Sequence, residues 1–481
     1  MKNMTLVNVA KAVGGVLHTE NMPDRICAET TEAAGVTIDS RMMQEGFLFV
    51  ATRGERVDGH SFIDSVFAAG AMGVLCEQAP KMPKGAYILV PDSFQALKDM
   101  AEFYRNQLDI KIIGITGSVG KTSTKEFVAS VLSKKYNTLK TKGNFNNEIG
   151  LPLTVLSIRD ECQVAVLEMG ISDFGEMRRL SKIAKPDVCL LTNIGQCHLE
   201  NLGTRDGILK AKSEIFDFMQ ENANICLNGD DDKLSTIEEV KGIKPIFFGT
   251  GDGNAVYATE YENLGLEGSR AVVHIKFNDK ESQFIADIPL PGEHMLYNAL
   301  AATTIGVLFG LELDQIQAGI KDVEPVGGRS HVIHTKRFTL IDDCYNANPI
   351  SMKAAIDLLS MTSIPSVTSL EQKGRKVAIL GDMFELGTEE AALHSEVGAY
   401  VTKKNIDVVI CIGNLCKNMY EGAKAIKDSY LELYYFKEKE TFFTQIDELL
   451  QDGDIVLIKA SHGMHFEEMI KKLEDSEERS A

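Results

Sequence analysis

The chain lacks several features that whole classes of protein require. It has no tryptophan, and its nine cysteines include no Cys-x-x-Cys pair. Scattered cysteines of this kind fit reduced thiols better than a disulfide framework or a zinc knuckle. No stretch approaches the roughly 18 uninterrupted apolar residues of a membrane span, and the N-terminus lacks the apolar segment of a secretory signal. These absences predict a cytoplasmic protein without a membrane span.

The chain is also short of positive charge. Fifty Lys and Arg residues face 69 Asp and Glu, which gives a net charge of −19. This is the wrong sign for coating nucleic acid or an anionic membrane, so neither partner is expected. Anionic substrates would have to be held by local Lys and Arg side chains, by backbone amides and by metal ions.

A length of 481 residues is too great for a single core and predicts two to four domains. Strand-like and helical patterns alternate along most of the chain, which favours an α/β fold with parallel sheets. Turn-rich and strand-rich residues 245–290 predict an antiparallel extension. Two segments without a clear period are interpreted as a hinge ("DVEPVGGRS", 322–330) and a surface loop (361–374). The predicted domains are residues 1–105, 106–326 and 327–481.

A glycine-rich turn lies between an apolar run and a helical pattern in "ITGSVGKTSTKEFVASVL", residues 115–132. The common phosphate-loop formula has an earlier glycine where this chain has Ile115. The shorter Gly117–Thr122 turn still allows backbone N–H groups to converge on phosphate oxygens at a helix N-terminus. Lys121 would pair with the β and γ oxygens, and the Thr122 hydroxyl would bind Mg²⁺. The alternative is a tight strand-to-helix turn without a ligand.

Carboxylates for such a metal are expected beyond the carboxyl ends of neighbouring strands. The apolar run "VAVLEMG" ends at Glu168, and the next one, "DVCLLTNIG", leads to His198. Each has a simpler explanation, a solvated acid at a strand end or a histidine used in packing. Their shared placement beside the glycine-rich turn favours a metal site.

Lys212 interrupts the apolar face of a predicted helix in "RDGILKAKSEIFDFMQ". At 100° per residue, Ile208, Ala211 and Ile215 form one stripe, and Lys212 falls within it. An unpaired buried ammonium is costly. The side chain must therefore reach solvent, pair with an acid or be neutralised chemically, and the pattern leaves these alternatives open.

These residues belong to a longer series of motifs that resembles the Mur ligases, the ATP-dependent amino-acid and peptide ligases of peptidoglycan precursor synthesis. The series covers essentially the whole chain. It runs "IDSR", "RGERVDGHSF", "TGSVGKTSTK", "TKGNFNNEIGLPLT", "EMGISDFGEM", "TNIGQCHLENLG", "AKSEIF", "GEHMLYNALAA", "GRS", "DDCYNANPISM" and "LGDMFELG". The fourth and tenth of these are similar to the branch that adds a dipeptide.

The resemblance implies a role for each of a set of residues. ATP would be bound by Thr116, Gly117, Ser118, Val119, Gly120, Lys121, Thr122, Ser123, Asn298, Arg329, Asp343 and Tyr345. Two Mg²⁺ ions would be held by Thr122, Glu168, His198 and Lys212, the last as a carbamate formed with CO₂. The catalytic residues would be Lys121, Glu168, His198 and Lys212. The UDP-sugar would meet Ser40, Arg41, Asp58, Gly59 and His60, and the acyl substrate would meet Asn144, Asn146 and Asn147. Met295 departs from the pattern, because related ligases often have Asn there.

The implied architecture is a central phosphate-loop ATPase domain between an N-terminal UDP-sugar domain and a C-terminal Rossmann-like domain. The implied activity joins D-alanyl-D-alanine to UDP-N-acetylmuramoyl-tripeptide through an acyl phosphate, with a monomer as the working form. The alternatives are a diaminopimelate- or lysine-adding ligase, a folylpolyglutamate synthase, and a non-catalytic nucleotide switch. The "NFNN" and "YNANP" stretches argue against the first two, and the absence of an NKxD-type guanine motif argues against the third.

Overall fold

The computed structural model describes residues 1–363, 374–426 and 430–475, and its strands form three separate sheets. Each sheet lies within one of the three predicted segments, although the predicted boundaries themselves stay a prediction. Most of the predicted surface loop, residues 364–373, lies outside the described residues. In the described part of the chain, no helix is both long and apolar enough to cross a bilayer.

The N-terminal sheet has five strands, and its order is β1-β5-β4-β3-β2. The strands are β1 (Val16–His18), β2 (Gly35–Thr37), β3 (Phe47–Val50), β4 (Gly73–Cys76) and β5 (Tyr87–Leu89). The helices are α1 (Leu6–Ala12), α2 (Ile63–Ala68) and α3 (Ser93–Arg105). Only β1 is antiparallel to its neighbour. Asp92 begins α3, since its side chain accepts hydrogen bonds from the N–H groups of Phe94 and Gln95.

The central sheet has nine strands in the order β14-β13-β12-β11-β10-β9-β6-β8-β7. The strands are β6 (Lys111–Thr116), β7 (Thr138–Lys140), β8 (Val164–Glu168), β9 (Val188–Leu191), β10 (Asn224–Asn228), β11 (Ile246–Gly249), β12 (Val256–Asn263), β13 (Ser269–Phe277) and β14 (Lys280–Ile288). The helices are α4 (Lys121–Leu132), α5 (Gly150–Leu156), α6 (Glu176–Ala184), α7 (Leu199–Leu202), α8 (Arg205–Ser213), α9 (His294–Leu308) and α10 (Leu313–Lys321). Strands β6 to β12 pair in parallel, and β12, β13 and β14 pair antiparallel.

The C-terminal sheet has six strands in the order β15-β16-β20-β17-β18-β19. The strands are β15 (His331–His334), β16 (Thr339–Asp342), β17 (Lys376–Gly381), β18 (Val408–Ile412), β19 (Glu432–Phe436) and β20 (Ile455–Lys459). The helices are α11 (Pro349–Met361), α12 (Glu390–Val401), α13 (Cys416–Lys424), α14 (Lys439–Phe443), α15 (Ile446–Leu449) and α16 (Glu467–Asp475). Only β15 is antiparallel to its neighbour, and the other five strands pair in parallel.

The N-terminal segment shares an apolar core with the central segment, whereas the C-terminal segment has apolar clusters of its own. One apolar cluster runs from Leu6 in α1 through Tyr104 in α3 to Ile112 and Leu167 on one face of the central sheet. The N-terminal segment is therefore packed firmly against the central one. The C-terminal sheet has its own apolar clusters on its two faces, and one of them takes in Leu199 and Leu266 from the central segment. The C-terminal segment thus has a core that is largely its own.

The strongest periodic patterns gave the right elements. The apolar run before the glycine-rich turn lies in β6, and the runs in "VAVLEMG" and "DVCLLTNIG" lie in β8 and β9. The antiparallel extension predicted for residues 245–290 is confirmed for β12, β13 and β14, whereas β11 pairs in parallel with β10 and β12. Short edge strands such as β1, β7 and β15 were not predicted, because three or four residues carry too little pattern. Helix α8 ends at Ser213, and a separate 3₁₀ turn follows at Glu214–Phe216.

Candidate functional site

A cleft of about 570 Å³ opens at the carboxyl edge of the central sheet, where the C-terminal segment faces it. The strand order creates this edge, because β6 lies between β8 and β9 and all three run in parallel. Ile115 is in register with Glu168, and Thr116 is in register with Leu191. The glycine-rich turn, Glu168 and the residues after β9 therefore emerge side by side, as the sequence predicted.

The glycine-rich turn needs glycine at two positions. Gly117 has a φ of 150°, and a Cβ there would lie 1.9 Å from Oγ1 of Thr192. Gly120 has a φ of 84° and immediately precedes α4, which begins at Lys121. The glycine-rich turn therefore places the N–H groups at the start of α4, which have no partner within the helix, at the cleft. Such a helix N-terminus is a site for an anion, and phosphate fits it.

Asn193 braces this turn and was not among the predicted site residues. Its Oδ1 accepts a hydrogen bond from Val119 N–H, and its Nδ2 donates one to the Val119 carbonyl oxygen, both at 2.9 Å. Ser118 and Thr192 add side-chain hydrogen bonds, with Ser118 Oγ donating to Gly195 O and Thr192 Oγ1 donating to Val119 O. An asparagine directly after a buried strand beside the phosphate loop was the signal that could have identified it.

Lys121 is the first residue of α4, and its side chain reaches back to the glycine-rich turn. Its Nζ donates a hydrogen bond to the carbonyl oxygen of Gly117 at 2.9 Å. Burial lowers the pKa of Lys121, and the negative charge of Glu168 acts in the opposite direction. An ammonium in this position is available to phosphate oxygens in the cleft.

Glu168 is the acceptor at the centre of the site and is 1% exposed. Its Oε1 accepts hydrogen bonds from Thr122 Oγ1 at 3.1 Å and from Asn146 Nδ2 at 2.8 Å. Its Oε2 is buried and has no hydrogen-bond partner. Leaving a carboxylate oxygen buried without a partner is costly. Because carboxylate and hydroxyl oxygens are preferred ligands of Mg²⁺, this donor set fits a magnesium ion.

His198 lines the same cleft. It has a φ of 51° and immediately precedes α7. Its buried Nδ1 lies 2.6 Å from Oε2 of Glu385, a close contact that does not have the geometry of a hydrogen bond. Contact with His198 lowers the pKa of Glu385, which is thus a carboxylate. The other ring nitrogen, Nε2, makes no hydrogen bond to any described residue, so it is the one left for a metal ion.

Lys212 lies where the helical pattern placed it, among Ile208, Ala211 and Ile215, and is 1% exposed. Its Nζ has no hydrogen bond or ion pair within the described ranges. The pKa of Lys212 is lowered from 10.5 to about 8, mainly by burial, and the positive charge of Lys121 acts in the same direction. An amine with a lowered pKa is more often unprotonated, which is the form that reacts with CO₂. Lys212 does not line the cleft, and its carbamate stays a prediction.

Arg329, Asp343 and Tyr345 come to the cleft from the C-terminal side. The guanidinium of Arg329 lies over the Tyr345 ring, 4.2 Å from its centre. Asp343 accepts a 2.6 Å hydrogen bond from Nζ of Lys459, a cleft-lining residue that is 2% exposed. Lys459 was missed by sequence reasoning. A lysine that ends the buried run "DIVLIKA" was the available signal.

The three predicted asparagines have different environments. Asn146 bonds to Glu168, as described above. Asn147 lines the cleft, and its Oδ1 accepts hydrogen bonds from the N–H groups of Ile149 and Gly150 at the entry to α5. Asn144 is exposed and is not one of the lining residues. The structure therefore brings two of the three to the site.

Three predicted nucleotide contacts, Thr116, Gly117 and Asn298, are buried and do not line the cleft. Asn298 is 4% exposed, and its Oδ1 accepts a 2.8 Å hydrogen bond from Thr124 Oγ1 in α4. Its Nδ2 donates a 3.3 Å hydrogen bond to the sulfur of Met295, the residue that departs from the family pattern. Thr116 is fully buried at the end of β6, and its hydroxyl has no partner. Their contacts with a nucleotide stay predictions.

The predicted UDP-sugar residues lie on the N-terminal segment, outside the cleft. Ser40 and Arg41 form a 3₁₀ turn after β2, where Arg41 pairs with Asp39. Asp58 precedes a second such turn that contains Gly59 and His60. Oδ1 of Asp58 lies 2.7 Å from Nδ1 of His60. The turn is thus preorganised, and its contact with a sugar nucleotide stays a prediction.

A second group of potential metal ligands was not predicted. Within the described residues, Asp382, His394 and Cys416 are buried and bring their ligand atoms within 4.8 Å of one another. Both His394 nitrogens are already bonded, Nε2 to Met383 N–H and Nδ1 to the Glu390 carbonyl oxygen. Cys416 N–H donates to Asp382 Oδ1. These hydrogen bonds make the group part of the framework.

The comparison with known families covers all three segments. The description "Mur ligase family, catalytic domain" matches residues 32–108, "Mur ligase middle domain" matches 115–306, and "Mur ligase, glutamate ligase domain" matches 328–462. The resemblance inferred from the motifs is thereby confirmed.

Individual relatives agree with this result. The UDP-N-acetylmuramoyl-tripeptide–D-alanyl-D-alanine ligase of Bacillus subtilis is 38% identical over 480 residues, with 99% of each chain covered. The crystal structure of MurF from Acinetobacter baumannii has a TM-score of 0.83, 31% identity and 98% coverage of each chain. MurF from Thermotoga maritima in complex with ADP has a TM-score of 0.78 and 30% identity, covering 93% of this chain and 98% of its own. The predicted three-domain α/β fold is confirmed, and the chain belongs to the Mur ligase family.

Proposed function

We propose that this chain is an ATP-dependent ligase that joins D-alanyl-D-alanine to UDP-N-acetylmuramoyl-tripeptide. It is an acid–D-amino-acid ligase that forms a C–N bond, and its product is the UDP-linked pentapeptide. The observation that carries the proposal is the unpartnered Glu168 oxygen beside the phosphate loop. This oxygen is available to bind a metal ion. The chain that carries it is similar over 99% of its length to a ligase named for this reaction.

The reaction needs activation because amide formation from a carboxylate is uphill in water. The tripeptide carboxylate attacks the γ-phosphorus of ATP, which gives an acyl phosphate and ADP. The unprotonated amine of D-alanyl-D-alanine then attacks the acyl carbon, and the amide forms as inorganic phosphate leaves the tetrahedral intermediate and the nitrogen gives up a proton. The first step brings two anions together in a protein of net charge −19. Mg²⁺, when bound, supplies the positive charge that makes this approach possible.

The residues of the phosphate loop orient the triphosphate. The N–H groups at the start of α4 and the ammonium of Lys121 bind its oxygens, and Asn193 holds the loop in that shape. Thr122, Glu168 and Nε2 of His198 would hold the two magnesium ions, with the Lys212 carbamate as a further ligand. Asn146 fixes the orientation of the Glu168 carboxylate, and Asn147 faces the acyl substrate.

The other segments supply the remaining contacts. The turns at Ser40–Arg41 and Asp58–His60 bind the UDP-sugar. Arg329, Asp343 and Tyr345 reach the nucleotide from the C-terminal domain, which swings on the 322–330 hinge and excludes water from the acyl phosphate. The boundaries near residues 105 and 326 separate these three functions. The enzyme works as a monomer in the cytoplasm.

The proposal is tested by measuring phosphate release and amide formation together. The purified chain is given ATP, Mg²⁺ and UDP-N-acetylmuramoyl-tripeptide, with the third residue either lysine or diaminopimelate, and then D-alanyl-D-alanine, glutamate or no amine. We expect phosphate to appear in step with pentapeptide for at least one tripeptide, and only with D-alanyl-D-alanine. Release with glutamate instead, or no release with any combination, would overturn the proposal. Lys121→Ala provides the inactive control.

A further inference from the structure

The contact between His198 and Glu385 joins two segments of the chain. His198 lies at the carboxyl edge of the central sheet, whereas Glu385 lies in the C-terminal segment, four residues beyond the end of β17. The nearest atoms are Nδ1 of the imidazole and Oε2 of the carboxylate, 2.6 Å apart. The His198 side chain is 19% exposed and that of Glu385 is 53% exposed. A histidine that lines the cleft is therefore in contact with a carboxylate of another domain.

The loop that carries Glu385 is anchored firmly in its own domain. Met383 N–H donates to Nε2 of His394, and Phe384 N–H donates to Oγ of Ser461, both at 2.9 Å. Asp382, at the base of the loop, accepts a 2.7 Å hydrogen bond from Cys416 N–H. These bonds come from α12, α13 and the segment after β20. The position of Glu385 is thus fixed by the C-terminal domain and not by His198 alone.

A second contact brings the two backbones together beside the side chains. Glu200 N–H points to the carbonyl oxygen of Glu385 at 3.4 Å. Gly387 has a φ of 61°, and a Cβ there would lie 3.1 Å from Cα of Glu200. His198 and Glu385 also have positive φ values, 51° and 62°. Non-glycine residues with such a positive φ are strained and persist where the surrounding structure defines them.

We propose that Glu385 is a positioning residue for His198, through which the docked C-terminal domain sets the orientation of that histidine towards the metal ion. The inference rests on the proposed function, since it deepens the same site. With the carboxylate at Nδ1, Nε2 is the nitrogen presented to the cleft. The second nitrogen of a metal-binding histidine is commonly hydrogen-bonded to a carboxylate, and the 2.6 Å contact places a carboxylate beside that nitrogen here. Here the carboxylate belongs to another domain, so metal affinity and domain docking are coupled.

The test measures metal binding rather than turnover. Mn²⁺ is titrated by electron paramagnetic resonance into the full chain with a non-hydrolysable ATP analogue and without peptide substrates. We expect Glu385→Ala and Glu385→Gln to weaken Mn²⁺ binding about tenfold or more, which is the usual effect of removing such a partner. Glu389→Gln is the matched control, because Glu389 is exposed in the same loop and makes no side-chain bond within the described residues. It should leave binding unchanged.

A double-mutant cycle with His198→Ala separates positioning from a general structural effect. If Glu385 acts through His198, Glu385→Ala has no further effect on Mn²⁺ binding once His198 is gone. An equal loss in both backgrounds, or an effect no greater than that of Glu389→Gln, would overturn the proposal. The isosteric Glu385→Gln carries the test if the alanine variant unfolds. A failure of the proposed ligase function would give a different result: the wild-type chain would bind Mn²⁺ normally but would release no phosphate.

Discussion

The hydroxyl of Thr122 donates a hydrogen bond to Oε1 of Glu168 at 3.1 Å, which joins the first turn of α4 to the end of β8. The two residues are 46 positions apart in the chain, and the parallel pairing of β6 with β8 brings them together. The hydroxyl keeps a lone pair free, and the second oxygen of Glu168 has no partner. This pair is therefore the most specific indication of a cation at the edge of the sheet.

Replacing Glu168 should separate activity from stability. Glu168→Gln keeps the shape but removes the charge, so we expect kcat/KM to fall at least about a hundredfold, in the range seen when one electrostatic group is lost. The variant should unfold at the same temperature or higher, because a buried carboxylate oxygen without a partner is costly. Phosphate release and thermal unfolding measure the two effects. Glu161→Gln, at an exposed position, is the control, and unchanged kcat/KM in Glu168→Gln would contradict the assignment.

The asparagines of the "NFNN" stretch should differ in importance. Asn146→Asp replaces the donor to Glu168 with a second carboxylate, so we expect kcat/KM to fall by about tenfold or more, as for a lost hydrogen bond to a charged group. Asn144→Asp makes the same chemical change at an exposed residue and should remain near the wild-type rate. Steady-state kinetics of both variants check this expectation. Equal losses would mean that the contact with Glu168 is not the reason that Asn146 matters.

Lys212 should be costly for stability and essential for activity. Burial lowers its pKa from 10.5 to about 8, so the folded state disfavours the charged form. Below pH 8 both states bind the proton and the full penalty applies, and stability rises with pH between 8 and 10.5. Lys212→Met should therefore raise the free energy of unfolding at pH 7 by up to about 3 kcal/mol, while phosphate release is lost.

Lys210→Met is the matched control for this change, since Lys210 is an exposed lysine of the same helix. It should alter neither the stability nor the rate. A carbamate would also give a ¹³C signal with labelled bicarbonate in the wild type and not in Lys212→Met. Full activity in Lys212→Met would exclude the carbamate.

His394 should make the C-terminal domain sensitive to acid. Burial lowers its pKa below 6.5, and this effect is opposed only partly by the hydrogen bond to the Glu390 carbonyl oxygen and by the charges of Asp382 and Glu390. The unfolded chain takes up a proton below pH 6.5 that the folded chain refuses, so the free energy of unfolding falls as the pH drops through that range. His394→Gln should be less stable than wild type at pH 8, and the difference should narrow at pH 5.5. Denaturant unfolding at both pH values checks this, with the exposed His465→Gln as control.

Much of this architecture follows from short-range patterns. The buried strands β6, β8 and β9 are continuous apolar runs, and each ends in a chemically distinct turn. A helical period was enough to place Lys212 in an apolar stripe, and the structure buries it there. Short edge strands escaped prediction, because their pairing depends on a neighbour that is remote in sequence.

By itself, the sequence determined the three α/β segments, the phosphate loop and the buried lysine, because glycine geometry and hydrophobic periodicity are local properties of the chain. Tertiary structure alone decided which polar groups meet. It brings Asn146 into a hydrogen bond with Glu168 and leaves Asn144 exposed to solvent. It also pairs Lys459 with Asp343 and places Glu385, from another domain, in contact with His198. Such pairings depend on strand order and domain docking, and neither leaves a periodic trace in the sequence.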